Sequence, residues 1–209
     1  MVFELLNDTI AFPDPTLAEP DGLLAVGGDL SVERLMLAYR HGIFPWFNED
    51  SPILWYAPHQ RCIIYPHKVR ESKSMRKILQ HGVFDITTNQ AFEKVIRQCA
   101  QTPRQGQDGT WITSEMQQAY IKLYENNLAQ SIEVWQNNQL VGGLYGVKMG
   151  RVFCGESMFS LVSNASKAAL IYLCKTMEFN LIDCQLPNEH LMSMGAEMID
   201  SETYLGFIG

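Results

Sequence analysis

No stretch of this sequence approaches the roughly 20 uninterrupted apolar residues of a membrane-spanning helix, so no membrane partner is expected. The opening residues, MVFELLNDTIAFPDP, lack the basic region and long apolar run of a secretory signal. Cysteine is sparse: Cys62, Cys99, Cys154, Cys174 and Cys184 are odd in number and contain no C-x-x-C pair. That pattern argues against a disulfide framework or a zinc ribbon and for reduced thiols in a cytoplasmic protein. The histidines (His41, His59, His67, His81, His190) show no ligand spacing, so no metal site and no cofactor is expected. Basic residues are outnumbered, 16 Lys and Arg against 23 Asp and Glu, for a net charge of −7. This excludes a coat that binds nucleic acid without regard to sequence, but leaves room for a local basic patch. Internal repeats and low-complexity tracts are absent as well.

What is present is enough apolar material for a sizeable core: 46% of 209 residues are hydrophobic and 11% aromatic. The first 60 residues are rich in Pro, Gly and Trp, with one helical pattern, VERLMLAYR, between Ser31 as cap and Gly42 as stop. An aromatic and proline-rich run, GIFPWFNEDSPILWYAP, follows; such runs suit pocket walls better than regular structure. Beyond it, RCIIYP and VFDITT read as strands around a short basic helix capped by Ser72. Asn89 is expected to cap a helix over QAFEKVIRQCAQ, and Thr113 or Ser114 to open another. SIEVWQNNQLVGGLYGVKMGRVFCGESMFS holds three strand-like segments separated by the turn signals QNN and KMG. A helix over ASKAALIYLCKTMEF, the strand LIDCQ and a short helix NEHLMSM complete the pattern. Helix, antiparallel meander, helix, strand is an α+β order, divided into a small domain at 1–60 and a larger mixed domain at 61–209.

Three segments carry unexplained chemistry. In the extended LIDCQ, Leu181, Asp183 and Gln185 share one face, so an acid and an amide project together from a buried strand. A buried carboxylate must be paired, solvated in a cleft, or used. Glu156 lies at an apolar strand end among Phe153, Met158 and Phe159. It either pairs structurally with Lys167 or Arg151, or serves as a carboxylate in an apolar pocket that grips an amine or takes its proton. KVRESKSMRK puts five basic residues in ten, which is either a solvated helix face or a phosphate-binding patch. By contrast, LVGGLYG lacks the G-K-[ST] of a P-loop. With Gln139 ahead of it, it loosely resembles the acyl-CoA signature of acetyltransferases, but it continues into a second strand; a strand packed tightly against something large is the better reading. GES lacks the second glycine of a hydrolase elbow.

The segments EPDGLLAVGGDLS, YRHGIFPWF, ILWYAP, GTWIT, QSIEVW, LVGGLYGV, FCGESMFS, NASKAAL and LIDCQ resemble those of bacterial leucyl/phenylalanyl-tRNA–protein transferases over nearly the whole chain. The resemblance implies an acetyltransferase-like catalytic domain. It implies transfer of leucine or phenylalanine, with methionine as a further candidate, from aminoacyl-tRNA to proteins with an N-terminal Arg or Lys, marking them for N-degron degradation. By motif position it implies Asp183 and Gln185 as a catalytic pair and Glu156 as holder of an amino group. Asp183 polarises Gln185 in one scheme; positioning suits the weakly basic amide better, with the proton leaving toward Asp183, water or the ribose. Tyr39, Trp46 and Trp111 would contact the terminal adenosine or frame the cleft. Leu144, Phe153, Leu170, Leu173 and Ile182 would line the donor side-chain pocket, and Lys73, Arg76 and Lys77 would hold the tRNA acceptor stem. Leucine at 144 and 173, where some relatives carry methionine and an aromatic, leaves donor preference open. An acyl-CoA-dependent N-acetyltransferase and a non-catalytic RNA-end-binding module are the competing readings.

Overall fold

The structure, a computed structural model, describes residues 4–102 and 110–208. The Pro- and Trp-rich N-terminal part forms a small sheet rather than only a helix with loops. Its strands are β1 (Glu4–Leu6), β2 (Leu23–Gly27), β3 (Phe44–Pro45) and β4 (Leu54–Tyr56), in the order β1-β2-β4-β3. The strands are short because prolines and glycines punctuate the segment, which hid them from periodicity. Helix α1 (Val32–Arg40) links β2 to β3; Ser31 accepts the Arg34 N–H at its start, and Gly42 turns the chain at φ +70° after its end.

The second sheet has seven strands in the order β11-β5-β10-β9-β8-β7-β6. These are β5 (Gln60–Ile64), β6 (Asp85–Thr88), β7 (Ala129–Gln136), β8 (Gln139–Met149), β9 (Val152–Ser160), β10 (Leu181–Gln185) and β11 (Glu197–Asp200). Strands β6 to β9 form an antiparallel meander. Its β7–β8 turn has both Asn137 and Asn138 at positive φ, the conformation a two-residue hairpin requires. The one parallel pair described within this sheet, β9 with β10, runs only from Leu181↔Val152 to Asp183↔Cys154; beyond it the two strands separate. The fold class is thus mixed α+β.

Helices cover both faces. Helices α3 (Phe92–Gln101) and α4 (Ser114–Glu125) share a core with α1, Trp55, Tyr145 and Cys154, while α2 (Lys73–Gln80) and α5 (Ala165–Thr176) pack on Leu144, Phe153 and Ile182. Two short helices, α6 (Glu189–Ser193) and α7 (Ser201–Ile208), finish the chain. Asn89 does not cap α3. It sits at φ +58° and its side chain accepts the Ser131 N–H, while Ala91 occupies the cap position. The glycines of β8 answer a packing demand. A Cβ on Gly142 would lie 2.5 Å from the Ala165 Cβ, and one on Gly146 would lie 2.2 Å from the Cys154 carbonyl oxygen. The close neighbour is helix α5 at Gly142 and strand β9 at Gly146.

Candidate active site

Where β9 and β10 separate, a cleft of about 780 Å³ opens on the α5 face of the sheet. Its apolar floor is Leu144 on β8, Phe153 on β9, Leu170 and Leu173 on α5 and Ile182 on β10. All five side chains that the resemblance assigned to a donor pocket therefore meet in one cavity. A second cavity of about 310 Å³ adjoins it, walled by Phe44, Trp46 and Trp111. The two cavities share Glu156, Cys184, Gln185 and Asn188, so the apolar and aromatic compartments meet at a carboxylate and an amide.

Glu156 is held from beneath by two buried phenols. Tyr39 on α1 donates to Oε1 at 2.7 Å and Tyr120 on α4 donates to Oε2 at 2.9 Å, and the two hydroxyls lie 2.5 Å apart. Neither Lys167 nor Arg151 pairs with it. Burial is the main influence on this acid and lifts it from 4.5 to about 7; the Tyr39 and Tyr120 hydrogen bonds oppose the rise, as Arg61 does, while the Asp183 charge adds to it. Burial, then the adjacent Glu156 charge, holds both phenols well above their usual range, so they stay protonated donors. Tyr39 is 1% exposed and cannot stack on a base. Its place in the site is under Glu156, so of the two expected roles, contacting the adenosine or framing the cleft, this geometry suits the second. Trp46 and Trp111 are partly exposed and do wall the aromatic compartment.

Asp183 and Gln185 do not project together. A β-bulge falls between them in the pairing with β5, where Asp183 opposes Ile63 and Gln185 opposes Cys62. Asp183 turns away from the cleft and is 0% exposed. Its Oδ1 accepts from Arg61 Nε at 2.8 Å and the Gln185 backbone N–H at 2.9 Å; its Oδ2 accepts from Arg61 Nη2 at 2.7 Å and the Tyr204 hydroxyl at 2.8 Å. Every contact is a donor, leaving this carboxylate no reach to the cleft and no contact with the Gln185 side chain. The expectations that it polarises that side chain or receives the released proton do not match this geometry.

Arg61 is the hub of this layer. Its guanidinium lies 4.9 Å from the Phe44 ring centroid and 4.6 Å from that of Tyr204, and Nη1 donates to the Gly42 carbonyl at 2.9 Å. Burial works against its charge, but the Asp183 carboxylate outweighs that and raises the guanidinium above its usual range. One side chain thereby ties the α1–β3 turn, β10 and α7 together under the cleft.

The bulge puts Gln185 at φ +55°, a conformation uncommon outside Gly, Asn and Asp. The Asp183 carboxylate secures it by accepting its N–H. Gln185 Nε2 then donates to Glu156 Oε1 at 3.3 Å, which leaves the amide oxygen as an acceptor at the junction of the cavities. A strained, over-determined backbone at a cleft is the kind of feature that functional sites retain.

Lys73, Arg76 and Lys77 are exposed on α2, which seats Met75 in the α5-side core. Arg76 lies 3.8 Å from Glu71, which is itself ion-paired with Lys175; the other two have no ion pair among the described residues. Arg61, Tyr120 and Tyr204 escaped sequence reasoning because an inward Arg and two helix tyrosines read as ordinary amphipathic positions. The α6 wall of the cleft, Asn188 to His190, escaped too. Among the described residues, no group of three His, Cys, Asp or Glu side chains is placed to hold a metal ion, and no helix is long and apolar enough to cross a membrane.

Two family descriptions match the chain: the leucyl/phenylalanyl-tRNA protein transferase N-terminal domain over residues 28–59, and leucyl/phenylalanyl-tRNA protein transferase over residues 63–208. A leucyl/phenylalanyl-tRNA–protein transferase of Flavobacterium psychrophilum is 51% identical, covering 97% of this chain and 98% of that protein. One from Flavobacterium johnsoniae is 52% identical over 99% of each. One from Shewanella pealeana is 54% identical, covering 93% of this chain and 84% of the other. Among solved structures, a GCN5-related N-acetyltransferase from Kribbella flavida aligns at 8% identity with a TM-score of 0.38, covering 78% of this chain and 58% of that one.

Proposed function

The chain belongs to the leucyl/phenylalanyl-tRNA–protein transferase family and carries an aminoacyl group from tRNA to protein N-termini; on that premise we propose how its site does so. The reading rests on one observation above all: Glu156 and Gln185 stand where an apolar cleft meets an aromatic one. The donor's leucyl or phenylalanyl side chain occupies the apolar floor, Leu144, Phe153, Leu170, Leu173 and Ile182. The terminal adenosine stacks in the aromatic compartment on Trp46 and Trp111. The aminoacyl ester is thereby held at the junction, beside Glu156 and Gln185.

The acceptor is the α-amine of a protein beginning with Arg or Lys. Gln185, through its amide oxygen, orients the amine for attack on the ester carbonyl. Glu156, whose acidity is tuned to about 7, holds the amine and takes up its proton. The C–N bond forms, the C–O bond to the ribose breaks, and the ribose oxygen leaves with the proton that Glu156 took from the amine. Much of the acceleration is positional, because the ester is already activated. Asp183 is a positioning residue, acting through Arg61 and the Gln185 backbone. Lys73, Arg76 and Lys77 hold acceptor-stem phosphates. The boundary between the N-terminal and catalytic domains is placed at residue 60, and a reaction fed by aminoacyl-tRNA belongs in the cytoplasm.

The test supplies radiolabelled Leu-tRNA or labelled acetyl-CoA with a peptide beginning with Arg. Label from Leu-tRNA on the peptide's N-terminus is the expected result. Label from acetyl-CoA alone would make the protein an N-acetyltransferase, and binding of tRNA ends with no transfer would make it an RNA-end-binding module.

A further inference from the structure

Two thiols stand at the junction of the cavities, and the transfer reaction uses neither. Cys184 is partly exposed and lines both compartments, next to Gln185. Cys62 on β5 is 0% exposed and belongs to the α5-side core. The bulge brings the two together. In a β-bulge, two residues of one strand oppose a single residue of its partner. Here Asp183 opposes Ile63 and Gln185 opposes Cys62, so Cys184 is the extra residue beside Cys62. The two sulfurs are in hydrogen-bond contact, the Cys184 thiol donating to Cys62. Facing Cα atoms of neighbouring strands lie roughly 4.5–5.5 Å apart, inside the roughly 4.4–6.8 Å span of a disulfide. Cys99, Cys154 and Cys174 are buried and line neither cavity. Donation from Cys184 lowers the Cys62 thiol against its burial; the same contact, then burial, raises Cys184 well above its usual range. The pair therefore loses its first proton below the ordinary thiol range, and the sulfurs share the one that remains.

We propose that Cys62 and Cys184 are a site of oxidation by peroxide, whose disulfide switches transfer off by reshaping the bulge. Peroxide enters through the cleft, where Cys184 is the sulfur open to it. Proton transfer along the S–H···S contact makes Cys184 the thiolate, which attacks one peroxide oxygen. The S–O bond forms, the O–O bond breaks, and the other oxygen leaves as water with a proton from solvent. Cys62 then attacks the Cys184 sulfur. The S–S bond forms, the S–O bond breaks, and the hydroxyl leaves as water with the Cys62 proton. One peroxide is thus reduced to two waters while two thiols become one disulfide. The new bond draws Cys184 toward β5 and away from the cleft wall. Gln185 follows it, because the same bulge fixes the Gln185 N–H on Asp183 and its amide on Glu156. The oxidation rests on the two thiols alone; its effect on activity rests on the transfer reaction proposed above.

The full chain is treated with hydrogen peroxide, digested without reductant and read by mass spectrometry. Transfer from Leu-tRNA to a peptide beginning with Arg is followed in parallel. A fragment joining Cys62 to Cys184 should appear as transfer falls by about 100-fold, the scale of a small misplacement at a reacting centre. Dithiothreitol should reverse both changes, which it would not do for oxidised methionine. Cys62→Ala should keep the untreated transfer rate and form no such fragment, holding Cys184 as a sulfenic acid that dimedone traps. Cys174→Ala should still form the fragment. Peroxide treatment that leaves Cys62 and Cys184 unlinked in the wild type would overturn the pair. A linked enzyme that transfers as fast as the reduced one would overturn the switch. The mass readout does not depend on transfer, so failure of that reaction and failure of the cross-link are told apart.

Discussion

Arg61 and Asp183 form a bidentate ion pair directly beneath the junction of the two cavities, with N–O distances of 2.8 and 2.7 Å and both side chains almost wholly buried. The charge pair is separated from the cleft by the backbone of β10, so its effect on chemistry passes through the shape of that strand. Removing one partner leaves the other charge buried and unpaired. Asp183→Asn should therefore lower stability by about 3–5 kcal/mol, read from the denaturant midpoint. Arg61→Met should do likewise, and the double variant should lose less than the sum. Additive losses would show that the two side chains act separately.

Gln185 separates strain from function. Gly at this position accepts φ +55° freely, whereas Ala keeps the strain and loses the amide. Gln185→Gly should be more stable than Gln185→Ala by about 1 kcal/mol, while both lose most transfer activity. A glycine variant with wild-type turnover would show that the amide is dispensable and only the bulge matters.

This pair also marks how far the sequence could be read. LIDCQ announced a strand with an acid and an amide that needed a reason, and period two put them on one face. The bulge broke that period, and it has no local signature: Cys184 and Gln185 are not bulge-forming residues, and the turn is held by Asp183 and by the strand opposite. Burial was equally ambiguous. Glu133 on β7 is as buried as Asp183, yet it is satisfied by Thr87, Ser131 and the Gln90 N–H and lies away from the cleft. Its strand neighbours gave no hint of those partners, two of which come from a distant segment. The meander and α5, by contrast, rest on period and the QNN turn, and they form in the structure, although Asn164 at the start of α5 sits at φ +72° and makes no side-chain capping bond. The small N-terminal sheet did not show through its prolines.

Glu156 should make both stability and rate depend on pH. Its folded-state value of about 7 stands above the ordinary 4.5, so between those pH values the folded chain binds more protons than the unfolded one. Stability from this group is then full below about pH 4.5 and is lost as pH rises through 7, by about 3 kcal/mol in total. Glu156→Gln should flatten that part of the stability profile. The rate should move oppositely, rising through pH 7 as the carboxylate ionises to receive the amine's proton. In Glu156→Gln that limb should be missing, leaving only the amine's own ionisation. A wild-type rise unchanged by the substitution would assign it to the amine alone.

The exposed face of α2 predicts a salt effect rather than a loss of fold. Replacing Lys73, Arg76 and Lys77 with Ala touches no buried side chain, so the denaturation midpoint should stay close to that of the wild type. Affinity for tRNA should fall, and the slope of log affinity against log salt should shrink by about 0.7–0.9 for each phosphate that is no longer neutralised. Arg76 alone should contribute least, because Glu71 already lies 3.8 Å from it. An unchanged slope would make this helix an ordinary solvated face.

The proposed donor pocket depends on how closely α5 lies on β8, and at Gly142 the two meet most tightly. A methyl group there would meet the Ala165 Cβ at 2.5 Å, so Gly142→Ala must push the start of α5 away from the sheet. Overpacking of this kind should reduce stability by about 1–3 kcal/mol. It should also alter donor choice, because Leu170 and Leu173 ride on α5 while Leu144, Phe153 and Ile182 stay on the sheet. Widening the gap should favour Phe over Leu in competition between the two charged tRNAs. Adding Ala165→Gly removes the opposing methyl but not the backbone atoms 3.2 and 3.3 Å away, so stability and donor ratio should both return only part of the way. Recovery of stability with no recovery of donor ratio would uncouple the helix position from selectivity.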